Sequence, residues 1–325
     1  MSCVVSRKVV VGVGIAIALL AVVIVLPKLS FVQPRGVHLT DADRATAESN
    51  LRGHLLQALG GLVLGVGAYF TWRTFALNRE GQITERFTRA VEQLANKKQL
   101  DVRLGGIYAL ERIAHDSETH YEPVLEVLTA FLRENARWRP DTVRADAEAA
   151  SPARPGKPAK DGKAPDLSRL RTDIQAAATV LGRRDRRHER AGYRLDLRGV
   201  DLRNASLRGA HLESALLGAA HLDDADLREA HLEDAILSEA HLERADLSWA
   251  NLVGAFFEDA HLEKAILNVA DLNGAWLSKA HLKEAHLYKA QLAGAFLGGA
   301  DLEGAEVTRD QLTDATLDDD TRLPE

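Results

Sequence analysis

Hydrophobic and polar residues follow four different patterns along this chain of 325 residues. Residues 9–26 run without a charge, rich in Val, Ile, Leu and Ala, directly after Arg7 and Lys8. About 18 such residues make a membrane-spanning helix, longer than the apolar region of a cleaved signal peptide. Residues 55–75 form a second apolar stretch with Gln57 as its strongly polar interior residue. It ends in Tyr69, Phe70 and Trp72, where interfacial aromatics are expected. Gly61 and Gly65 have the spacing that lets two helices approach closely, which predicts packing of the two spans. Arg7 and Lys8 before the first span, and Arg73, Arg79, Arg86 and Arg89 after the second, predict a multi-pass hairpin with both termini cytoplasmic and an external loop. Residues 1–78 form this region.

Residues 79–138 return to helical spacing. Ile83, Phe87, Val91 and Leu94 share one face; Ile107, Leu110, Ile113 and Ala114 share the next; Leu125, Leu128 and Leu132 mark a third helix with Pro123 near its start. Gly105-Gly106 lacks the downstream Lys-Ser/Thr of a phosphate-binding loop, so close helix packing is the simpler reading. Residues 139–168, rich in Pro, Ala, Lys, Asp and Gly, read as a disordered linker. Residues 169–194 combine a short helix with the basic run Arg183, Arg184, Arg186, Arg187 and Arg190. A charge run is usually a solvated face, and this one offers a candidate contact with anionic membrane lipid. The helix beside it is expected to cover the open end of the domain that follows.

From Leu197 to Leu317 a large apolar residue recurs at every fifth position, about 25 times, always Leu except at Phe257 and Val307. Two residues earlier stands Ala, unbroken from Ala205 to Ala305. Five residues of α-helix advance by about 500°, so the leucines would spiral over every face. In a flat strand the odd period would alternate their sides. The chain must therefore turn once per pentad, with Ala and Leu pointing into one interior. Leu216, Ile236, Phe256, Trp276 and Phe296 recur every twenty residues, as do His221, His241, His261 and His281, and Gly254, Gly274 and Gly294. Four pentads per coil is the simplest explanation.

These pentads, written Ala-His-Leu-Glu-x, Ala-Asp-Leu-x-x and Ala-Asn-Leu-x-x, resemble the pentapeptide-repeat family across residues 195–325. The resemblance implies a mainly β C-terminal domain, a right-handed quadrilateral parallel β-helix with four pentapeptides per coil. An α-helical transmembrane hairpin and a small α-helical module precede it. The repeated His, where Asp or Asn is commoner, and the apolar ladder depart from the family pattern. Asp310, standing where Ala is expected, suggests a terminal cap. Six coils at a spacing of about 4.8 Å give a rod of roughly 30 Å.

Charge sharpens the division. Residues 195–325 carry about 26 acidic and 11 basic side chains, roughly −15 against a total of −6. Cys3 is the single cysteine, so no intramolecular disulfide can form. Ser, His and Asp are spread by the repeat rather than gathered in a cleft, so neither catalysis nor a cofactor is expected. The ladder His221, His241, His261 and His281 is a candidate pH-sensitive stack, destabilised by like charges below about pH 6. A single ligand type is a poor metal site, and no metal ligand set is assigned. Leu216, Ile236, Phe256, Trp276 and Phe296 form the candidate partner surface, for another protein or for a second copy in a homodimer. Nucleic acid is not expected as a partner, because no aromatics interleave the arginines. The function these features favour is a membrane-tethered, non-catalytic scaffold for protein–protein interaction. The alternative implied by the resemblance is an acidic DNA mimic that binds a type II topoisomerase.

Overall fold

The computed structural model describes residues 40–138 and 170–324. The first apolar run, 9–26, and the linker, 139–168, lie outside the described residues. The chain divides into two compact units, Met1–Gln82 and Ile83–Glu325.

Helix α1, Asp41–Leu94, is continuous over 54 residues. Thr40 starts it as one half of a capping box: Asp43 N–H donates to Thr40 Oγ1 at 3.3 Å, and Thr40 N–H donates back to Asp43 Oδ2 at 3.3 Å. The expected external loop is therefore helical from Asp41, and the second apolar stretch and the Ile83–Leu94 face belong to one element. No glycine or proline interrupts 68–80, and the helix runs through the expected boundary. Among the described residues α1 is the one helix long and apolar enough to cross a membrane. Leu56, Leu62, Val63, Leu64, Phe70 and Phe75 on it are exposed. Two spans are expected; one candidate lies among the described residues.

The second unit begins with the last turns of α1, followed by α2, Leu100–Asp116, α3, Glu118–Asn135, and α4, Thr172–Gly182. Ile107, Leu110, Val124, Leu128, Leu132, Ile174 and Leu181 fill the core between them, each at most 1% exposed. Gly106 explains the glycine pair: a Cβ there would meet Ala90 O and Leu94 N at 2.7 Å, so α2 crosses α1 backbone to backbone. α3 corrects one expectation. It begins at Glu118, which puts Pro123 inside the helix rather than at its start. Ser117 opens the helix, with its carbonyl accepting from His120 N–H at 3.1 Å.

From Leu195 onward the chain forms a β-helix-like repeat fold. The pairing is not that of extended strands: among the described residues it consists of isolated parallel bridges, Asp201 with His221, Ser206 with Asp226, His211 with His231, and so on. Partners are twenty residues apart, except that Asp301 pairs with Arg322 at the C-terminal end. Each pentad has room for only a short extended piece before it turns, which is why no longer strand forms. Leu242 N–H donates to His261 O at 2.7 Å, and His261 N–H donates to Ala240 O at 2.9 Å. The same pair of bonds recurs around the coil. Ala245 N–H then closes a turn onto Leu242 O at 3.0 Å. The second central residue of each such turn has positive φ, as a type II turn requires. It is one of fifteen non-glycine residues from Asn204 to Lys289, or of the glycines from Gly199 to Gly304. The Ala and Leu columns from Leu195 to Leu302 are buried throughout, with Phe257 the largest side chain among them.

Both ends of the stack are closed. The bridging N–H groups of the first coil have no preceding coil to pair with, yet three of them find acceptors elsewhere. Asp201 N–H donates to Ala136 O at 2.6 Å, Ser206 N–H to Gln175 Oε1 at 2.9 Å, and His211 N–H to Gly182 O at 2.8 Å. α4 and the chain leaving α3 therefore take the place of a coil at Asp201, Ser206 and His211. Gly182 lies so close that a Cβ would meet Ala210 Cβ at 2.9 Å. At the other end the Gln311 side-chain amide donates to Leu287 O at 2.7 Å and Ala290 O at 2.9 Å. Thr321 Oγ1 donates to Leu297 O at 3.1 Å.

Candidate interaction surface

The pentad directs the residue before each central Leu outward, and the twenty-residue register places equivalent residues in line. Leu216, Ile236, Phe256, Trp276 and Phe296 are joined by successive bridges into one column. Leu216, Ile236 and Phe296 are half-buried, while Phe256 is 38% and Trp276 44% exposed. Trp276 stacks on Phe296 at 4.3 Å and on Phe256 at 5.9 Å. Beside them the turn positions are Gly254, Gly274 and Gly294, and Val253 is 38% exposed. On the two preceding coils the positions equivalent to Val253 are Glu213 and Glu233. The apolar strip thus widens at the Val253 coil, after which the register reads Asn273 and Ala293. Trp249, 65% exposed, and Tyr288, 59% exposed, stand at turns on another part of the surface.

The histidine column is stacked as well. His221, His241, His261 and His281 lie 4.3, 4.7 and 4.7 Å apart, with rings within 7° of parallel. Trp138, which sequence reasoning did not single out, lies flat on His221. A second stack, His211 on His231 at 4.7 Å, was also missed, although the repeated Ala-His-Leu-Glu pattern marks both residues. The His-x-Glu spacing is the signal for their carboxylate neighbours: positions on either side of the central Leu face outward together.

The basic run is divided by the fold. The side chain of Arg184 is fully buried, donating to Glu213 O at 2.8 Å and lying beside Glu189 and Glu213, so it is not available to a lipid headgroup. Arg183, Arg186, Arg187 and Arg190 are exposed. Arg187 pairs with Asp185 at 2.6 Å and holds that carboxyl well below the usual range; Arg190 pairs with Glu122 at 3.2 Å. Burial raises the Glu189 carboxyl, against the pull of Arg184 and Arg186. Elsewhere, Asp196, Asp201 and Asp226 each pair with the arginine two residues on, at 2.7 to 2.8 Å. The Arg228 hydrogen bond depresses the Asp226 carboxyl.

A family model described as pentapeptide repeats matches residues 196–234, 240–274 and 265–304, in eight copies. The chain belongs to the pentapeptide-repeat family. A pentapeptide-repeat protein from the cyanobacterium Cyanothece 51142 is 34% identical over 30% of this chain and 67% of its own, with a TM-score of 0.29. A second, from Nostoc Pcc 7120, is 26% identical over 41% of this chain and 76% of its own, with a TM-score of 0.25. QnrB1, a plasmid-mediated fluoroquinolone resistance protein, is 20% identical over 36% of this chain and 67% of its own, with a TM-score of 0.18. The pentapeptide-repeat protein described above thus spans about two thirds to three quarters of these relatives. No curated protein matches it.

Proposed function

We propose that this pentapeptide-repeat protein is a membrane-tethered, non-catalytic scaffold whose rod binds another protein through the column Leu216, Ile236, Phe256, Trp276 and Phe296. The observation that carries the reading is the exposure of Phe256 and Trp276 in a continuous apolar strip flanked by the small turn residues Gly254, Gly274 and Gly294. Contiguous apolar surface of this kind marks interaction sites, and aromatic anchors are its usual centre. The rod is a right-handed quadrilateral β-helix of four pentapeptides per coil in this reading, supported by bridge partners twenty residues apart. The tether is a two-span hairpin with cytoplasmic termini, supported by the exposed apolar residues of α1 and by the uncharged run at 9–26.

The test is crosslinking of the full chain in native membranes, with the double variant Phe256→Ser and Trp276→Ser alongside. The expected result is a discrete crosslinked partner that the double variant loses while its melting temperature holds. An unchanged crosslinking pattern rejects the surface. The DNA-mimic reading is weaker, because Asp196, Asp201 and Asp226 are neutralised by arginines within their own pentads, unlike the free phosphates of a duplex. Inhibition of DNA supercoiling by micromolar protein would reverse that preference.

A further inference from the structure

Two columns run side by side along the rod. One is imidazole, His241, His261 and His281; the other is carboxylate, Asp223, Glu243 and Glu263, two residues beyond a histidine on each coil. His241 Nδ1 lies 3.3 Å from Glu243 Oε1, and His261 Nδ1 lies 3.5 Å from Glu263 Oε1. Donor atoms of His241, Glu243 and His261 all fall within 4.8 Å of one another, and so do those of His261, Glu263 and His281. Histidine alone is a poor ligand set. The carboxylates supply the second ligand type.

Two further observations point to a cation. Oε2 of Glu243 and of Glu263 is buried without a hydrogen-bond partner, and so is Oδ2 of Asp223; such orphaned acceptors call for a water or an ion. These carboxylates also stack in register, an arrangement of like charges that is unfavourable by itself. Among the described residues no Lys or Arg forms an ion pair with Glu243 or Glu263. The neighbouring triad, His211, Glu213 and His231, differs in this respect: Arg184 and Arg186 face Glu213 at 3.6 and 3.8 Å and supply the positive charge themselves.

We propose that this ladder binds one divalent transition-metal ion of the zinc class, held either by His241, Glu243 and His261 or by His261, Glu263 and His281. Imidazole with carboxylate selects such ions over calcium or magnesium, and two imidazoles and one carboxylate leave a fourth position for water. The two triads share His261, so they hold one ion between them. Zinc–ligand bonds of about 2.0–2.2 Å require donors closer together than in the stack. The parallel rings aim their lone pairs side by side, and coordination turns His241 and His261 about χ2 toward the carboxylate. Their side chains, 34% and 35% exposed, have room to do so; His221, 12% exposed under Trp138, does not.

The test is calorimetric titration of the tag-free full chain, in detergent micelles at pH 7.5, with zinc chloride. Saturable binding of one ion per chain is expected. His261→Ala removes a ligand from both triads and weakens binding at least about tenfold. Glu243→Gln combined with Glu263→Gln does the same while preserving volume, so it decides the matter if His261→Ala melts early. His211→Ala leaves binding unchanged. Absence of saturable heat, full-strength binding by the Gln pair, or an equal loss in His211→Ala would each overturn the site.

Discussion

The indole of Trp138 lies on the imidazole of His221, with ring centroids 4.5 Å apart and planes 8° from parallel. It extends the histidine stack by one member on the side of the first coil, where the same register position is Asp201 rather than histidine. The backbone beside it is committed to the same edge, since Arg137 bridges Val200 and Ala136 O accepts from Asp201 N–H. Trp138→Ala keeps those backbone bonds and removes the stacking, worth about 0.5–1.5 kcal/mol for an aromatic pair beyond the area it buries. The expected outcome is a lower unfolding midpoint in denaturant, with faster hydrogen exchange at the amides of the first coil. Unchanged exchange at those amides would mean that the indole does not hold the edge.

A buried ion pair ties the capping helix to the helical module. Asp173, 1% exposed, accepts from Arg103 Nε at 2.9 Å and Arg171 Nη2 at 2.8 Å. Removing one partner of a buried pair leaves a charge without compensation, at a cost of about 3–5 kcal/mol. Arg103→Ala should cost less than that, because Arg171 still pairs with Asp173. Arg103→Ala with Asp173→Leu should recover much of it, because neither charge then remains. Thermal unfolding of the single and double variants measures the difference. Equal loss in both would show that packing, not charge, is what Arg103 contributes.

The repeat is legible in the sequence because one constraint governs every coil. A period of five leaves Ala and Leu only one common interior, and alignment at twenty residues brings Phe256 over Ile236 and His241 over His221. What sequence could not show depends on residues far apart along the chain. Arg184 reads as one more exposed arginine, yet Glu213 of the rod and Glu189 bury it. Trp138 ends the α-helical module and carries no periodic signal, so its place on His221 follows only from how α3 meets the first coil. Pro123 misleads for a local reason: proline favours a helix start, but Ser117 and Glu118 begin the helix five residues earlier.

Left-handed turns are a distributed cost of this fold. Val269 holds φ at 60°, a region unfavourable for a β-branched side chain. Its N–H donates to Tyr288 O at 2.8 Å, so the coil register maintains the conformation. Asn tolerates this region through local hydrogen bonding. Val269→Asn is therefore expected to stabilise the rod by about 1 kcal/mol, read as a raised denaturant midpoint with an unchanged slope. A fall in the midpoint would show that Val269 contributes more by packing than the turn loses by strain.

Alkaline pH probes the junction of module and rod. Burial, and then the charge of Glu189, push the Tyr121 hydroxyl from 10.0 up to about 12. Burial raises Tyr193 as well, with Glu126 adding to it. Both groups stay protonated in the folded chain after the unfolded chain has released its protons. Above pH 10 the unfolded state therefore binds fewer protons than the native state, and stability falls as pH rises, most steeply between about 10 and 12. The contribution is fully present below pH 10. Phenolate absorbance at pH 11 should report Tyr121 and Tyr193 as neutral in the folded protein, and both should ionise when it unfolds. Tyr121→Phe removes the titrating group and flattens the alkaline decline. A decline of the same steepness in that variant would assign the pH dependence to other residues.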